Sequence, residues 1–151
     1  MKTTRHPAGR TGRSGGAALV EFALVLPLLL LASVTTTELG RAIYQYNTIV
    51  KSVRDGARYL SLQSPGSHAA EARNLVVYGN IAGTGAALAP GLSLAQVGQP
   101  VWATAGANPL INTVSITVSG YVFRPLLTGV FGVAFANLTY NDIAAVMRSP
   151  L

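Results

Sequence analysis

Residues 17–34, AALVEFALVLPLLLLASV, form a largely apolar run of eighteen residues with one charge, Glu21, and one proline, Pro27. As an α-helix such a run covers about 27 Å, close to the ~30 Å hydrocarbon core of a bilayer. Only 11% of the chain's 151 residues are charged, against about 25% in soluble globular proteins. The run is therefore predicted to cross a membrane once. Lys2, Arg5, Arg10 and Arg13 all precede it, which places the N-terminus on the cytoplasmic side and the rest of the chain outside.

The formal charge of +6 would suit a nucleic-acid partner if it were spread over a folded surface. It is not: beyond the apolar run's start at Ala17, seven basic residues stand against five acidic ones. The basic excess is a topology signal, and no nucleic-acid partner is expected. No cysteine is present, and the two histidines, His6 and His68, have no second ligand at metal spacing. Disulfides, a metal site and other cofactors are not expected. The five acidic residues are scattered, and no nucleophile elbow or phosphate loop occurs. The reading is of a non-enzyme without a small-molecule substrate. The sequon Asn137-Leu138-Thr139 is read as chance.

Residues 1–16 have no large apolar side chain after Met1 and read as a basic leader. The transmembrane helix is assigned to 17–35. An amphipathic helix at 36–63 continues it, with Leu39, Ile43, Tyr46, Val50, Val53, Ala57 and Leu60 at alternating spacings of four and three. Leu39, Ile43 and Tyr46, nearer the membrane, are candidates for contact with partner helices, and the stretch from Val50 to Leu60 for packing on the chain's own domain. Glu38, Arg41, Lys51, Arg54, Asp55 and Arg58 are assigned to the polar face, with Arg54, Asp55 and Arg58 solvated and salt-bridged.

Pro65 and Gly66 end the helix, and 64–151 is assigned to a small β-rich extracytoplasmic domain. Residues 75–78 read as a short β-like run. Residues 113–123, in which Val114, Ile116 and Val118 alternate with Ser115, Thr117 and Ser119, read as a half-buried strand, and 138–147 as a second one broken at Asn141-Asp142. Residues 125–136, PLLTGVFGVAFA, are too short to span a bilayer and fit either a buried hairpin connection or an exposed apolar loop. The expected fold class is α+β: a long N-terminal helix, its first half transmembrane, followed by a small antiparallel β domain.

The segment RSGGAALVEFALVLPLLLL, residues 13–31, joins a basic leader ending in Gly16 to an apolar helix with a glutamate five residues further on. It resembles the class III signal of type IVb pilins and pseudopilins. With ELGRAIYQYN at 38–47 and RDGARYLS at 54–61, residues 13–62 resemble the TadE/TadG-like family of pilus-assembly pseudopilins of tight-adherence (Flp-type) systems. The resemblance implies cutting by a prepilin peptidase between Gly16 and Ala17. Ala17 and the pair Glu21-Phe22 depart from the Phe start of type IVa pilins and the Glu-Tyr pair of Flp major pilins, which points to a minor subunit.

A carboxylate inside an apolar helix costs roughly 2.5 to 3.5 kcal/mol on insertion scales and needs a partner. In the filament that the resemblance implies, Glu21 is expected to pair with the free amine of a neighbouring subunit's Ala17 after cleavage; the alternatives are its own Ala17 amine one turn back, or snorkelling at the interface with no assembly role. Pro27 removes a helical hydrogen bond and is either a candidate hinge or a proline that a membrane helix simply tolerates. Implied partners are the peptidase, other pseudopilins, the major pilin, the inner-membrane assembly platform and the lipid bilayer. The alternative is an uncleaved single-pass protein of the inner membrane whose outer domain binds or adheres.

Overall fold

The computed structural model describes residues 14–150; the leader assigned to residues 1–16 lies almost wholly outside them. One helix, α1 (Ser14–Ser61), runs through Pro27 without a break and is about 72 Å long. Its apolar first half stands clear of the rest of the molecule, with an eighteen-residue window of mean hydropathy 2.4 and none of that window buried. A long N-terminal apolar helix followed by a small antiparallel β domain is the α+β layout expected.

After α1 come a second helix, α2 (Ala69–Tyr78), and a 3-10 turn at Leu94–Gln96. The three-stranded antiparallel sheet follows, built from β1 (Val101–Ala105), β2 (Ile111–Val118) and β7 (Ile143–Arg148) with β2 in the middle. Between β2 and β7 the chain makes two small ribbons. One pairs β3 (Val122–Phe123) with β6 (Leu138–Thr139), and the other pairs β4 (Gly129–Val130) with β5 (Val133–Ala134).

The register places Val114 opposite Met147, Ile116 opposite Ala145 and Val118 opposite Ile143. Because strand side chains alternate, these apolar pairs share one face. That face packs on Ile49, Val53, Ala57 and Leu60 of α1, and Ala72, Val76 and Val77 of α2 complete the core. The second half of α1 is thus part of the head's core.

Four sequence expectations need correction. Residues 75–78 lie in α2, where Ala72, Val76 and Val77 are buried on one side and Gly79, at φ 73, ends the helix by donating its N–H to the Leu75 carbonyl. Four apolar residues alone cannot separate helix from strand. Here a close approach to α1 decides: a Cβ on Gly56 would stand 2.7 Å from Val76 Cγ2.

The strand expected over 113–123 stops at Val118, since Gly120 takes φ 67 and Ser119 donates its N–H to the Gln96 carbonyl. Glu38 is not on the polar face but is buried, 7% exposed. Arg54, Asp55 and Arg58 are exposed, yet the ion pair found among the described residues is Arg41–Glu38, at 2.6 Å.

Candidate functional site

The side chains with a functional reading fall into two zones of α1. In the first, Gly16, Ala17 and Glu21 are all exposed at the start of the helix, and Pro27 is partly exposed. No ion pair within 4 Å involves Glu21 among the described residues. This zone contains apolar side chains such as Leu19, Phe22, Leu24 and Leu28, all exposed.

The second zone begins where the apolar run ends. The hydroxyls of Ser33, Thr35, Thr36 and Thr37 donate to the carbonyls of Leu29, Leu31, Ala32 and Ser33, at 2.8 to 2.9 Å. Bonded back in this way, they can lie at the apolar boundary without an unpaired donor.

From Glu38 onward α1 meets the head through polar contacts. Glu38 accepts a hydrogen bond from the Leu126 N–H at 3.0 Å through one carboxylate oxygen and pairs with Arg41 through the other. The Arg41 guanidinium lies 5.5 Å from the centre of the Phe123 ring, a cation–π distance. Tyr140 donates to the Ala42 carbonyl at 2.6 Å. The Tyr121 hydroxyl lies 2.7 Å from Gln45 Oε1 and 2.8 Å from the Pro90 carbonyl. Burial holds the Tyr121 phenol above its ordinary pKa, with neighbouring Tyr140 adding to the rise and Arg41 opposing it. Burial likewise raises Tyr140.

Leu39, Ile43 and Tyr46, the candidate partner seam, are all exposed, although the Tyr46 ring meets Tyr140 edge-on at 5.4 Å. Val53, Ala57 and Leu60 are buried. A four-three repeat averages 3.5 residues per turn and drifts about 20° per heptad around a straight helix. Over the two heptads from Leu39 to Val53 the apolar seam therefore winds off the buried face. In the lower half the buried positions are Glu38, Ala42, Gln45 and Ile49.

Glu38, Arg41 and Gln45 were missed as site residues because a hydropathy pattern scores them as solvent-facing. For Glu38 and Gln45 the available signal was their spacing with Ala42 and Ile49, since 38, 42, 45 and 49 also lie on one helical face. Glu21 and Leu39 are separated by about 27 Å along α1, so the structure does not bring the processing and charge-pairing residues together with the seam.

These features describe a class of protein: an apolar anchor helix, exposed along its first half, that carries a small α+β head on its second. The family model described as TadE-like protein matches residues 16–58, the same stretch of α1 that carries the motifs. The matched stretch lies within α1 and does not extend to the other elements of the head. Searches of curated proteins and of solved structures each found no match.

Proposed function

We propose that the chain is a minor pseudopilin of a tight-adherence (Flp-type IVb) pilus, cut after Gly16 by a prepilin peptidase and then used in pilus assembly at the inner membrane. The observation that carries this reading is the TadE-like match over residues 16–58, which falls on a helix whose apolar half is exposed along its length.

The Gly16–Ala17 bond lies within the first turn of α1. Glycine at the cut site leaves no side chain to obstruct an extended backbone in the protease cleft. Cleavage would give Ala17 an amine with a reference pKa of about 7.7 to 8. Glu21 of a neighbouring subunit can then neutralise it and fix the axial register of helices that otherwise slide. Leu39, Ile43 and Tyr46 offer the adjoining helix an apolar strip, and Pro27 offers α1 a place to bend as the subunit leaves the bilayer.

The test is the mature N-terminus. Mass spectrometry of the membrane-purified protein, from cells with and without the prepilin peptidase, is expected to show a start at Ala17 only when the peptidase is present. An intact leader in both would replace this reading with that of a permanently anchored binding or adhesion protein.

A further inference from the structure

We propose that residues 125–136 dip into the outer interface of the bilayer that α1 spans, giving the head a second contact with lipid. This rests on the single-span reading of α1.

The path of the chain carries the argument. Leaving the sheet, the head steps down α1 toward its apolar half: Tyr121 meets Gln45, Phe123 lies beside Arg41, and the Leu126 amide reaches Glu38. Ala134, Phe135 and Ala136 then share an open groove of about 310 Å³ with Thr35 and Leu39. On the return, Tyr140 bonds the Ala42 carbonyl, and the far end of the sheet reaches Ser61 through Ser149. The hairpin is therefore the part of the head nearest the apolar run, which ends at Val34.

Composition and conformation agree with that position. Residues 125–136 contain no ionisable side chain. Leu126 is 72% exposed and Phe131 62%, and Leu127, Val133 and Leu138 are exposed with them. The turn between β4 and β5 is Phe131-Gly132, with φ 50 and 83. Two consecutive positive φ values define the turn type that ordinarily takes Asn-Gly, and a bulky residue there is an outlier. Here it sets an aromatic ring at the tip.

Within the hairpin the backbone bonds are made by the β4–β5 pairing and by the Phe135 N–H donating to the Thr128 carbonyl at 3.0 Å. A hairpin closed on itself can enter the headgroup and upper acyl region, where aromatic side chains concentrate. Exposed Arg124 at its base suits the phosphate level.

The chain has no native cysteine, so single labels are unambiguous. Phe131→Cys, Leu26→Cys and Val101→Cys, each carrying an environment-sensitive fluorophore, are to be placed in the full chain reconstituted into phosphatidylcholine–phosphatidylglycerol vesicles. Separate sets of vesicles contain lipid with a spin-label quencher either high on the acyl chain or near its end. The label at 131 is expected to lose emission to the shallow quencher and the label at 26 to the deep one, while the label at 101 is unaffected by either.

Quenching at 26 with none at 131 overturns the proposal and leaves the span intact. Absence of quenching at 26 overturns the span itself, and the proposal with it. A label at 131 that is shielded only when sibling pseudopilins are added overturns it in favour of a protein partner.

Discussion

The Glu38 carboxylate on α1 accepts the backbone N–H of Leu126 at 3.0 Å, joining positions 88 residues apart. It is the contact that fixes the 125–136 segment against the helix just beyond the apolar run. Glu38→Ala removes the acceptor of the Leu126 N–H and the ion-pair partner of Arg41, at a cost of about 1 to 2 kcal/mol. The expected result is faster hydrogen exchange at Leu126, by about tenfold or more, with the sheet amides slowed or quickened far less. Glu38→Gln keeps an acceptor and is expected to recover part of the protection.

Gly56 and Gly40 occupy the same helix but should respond in opposite ways. A Cβ at 56 would meet Val76 at 2.7 Å and the Ala72 carbonyl at 3.4 Å, whereas at 40 nothing lies within 4 Å. Val76 is fully buried and cannot give way easily. Gly56→Ala is expected to lower stability by about 1 to 3 kcal/mol from overpacking, outweighing its better helix propensity. Gly40→Ala should raise stability by up to about 1 kcal/mol. Thermal unfolding of the full chain in detergent, followed by near-ultraviolet circular dichroism, measures both.

Tyr121 is expected to make the head sensitive to alkaline pH. Its folded-state pKa lies above the ordinary tyrosine value of about 10, chiefly through burial. The folded state therefore holds the phenolic proton more tightly than the unfolded chain. Stability from this group is fully present below pH 10 and falls as pH rises from there through the raised folded value. Tyr121→Phe should lower stability at neutral pH by about 1 kcal/mol, through loss of the hydroxyl's bonds. It should also reduce the decline above pH 10, as read by denaturant unfolding across pH 8 to 11.

Glu21→Ala is expected to leave membrane insertion unchanged and to abolish incorporation of the subunit or pilus production. Fractionation and electron microscopy of a complemented deletion strain read the two effects separately. Normal pili from the variant would remove Glu21 from the assembly scheme.

The apolar run was legible in the sequence because lipid demands a property that simple composition records: about 27 Å of helix with almost no charge. The same holds for β2, whose Val114, Ile116 and Val118 alternation fixes a buried face by period alone. Helix α2 was not legible. Its Leu75-Val76-Val77-Tyr78 run suits either period, and the choice came from a glycine on another helix that lets the two backbones close.

The candidate site divides the same way. Glu21 and Pro27 could be named as the one charge and the one proline of the apolar run, and Gly16 and Ala17 from the resemblance of residues 13–31 to a class III signal. The latch of Glu38, Arg41 and Gln45 could not, because burial of a polar side chain depends on partners supplied from far along the chain: Leu126, Phe123 and Tyr121. Sequence by itself determined that an apolar helix leads a small β-bearing head. Only the tertiary structure decided which face of that helix the head grips, and that it holds an apolar hairpin beside the end of the membrane run. Hydrophobic period records how much apolar surface must be hidden, whereas a polar contact is specified only when both of its partners are in place.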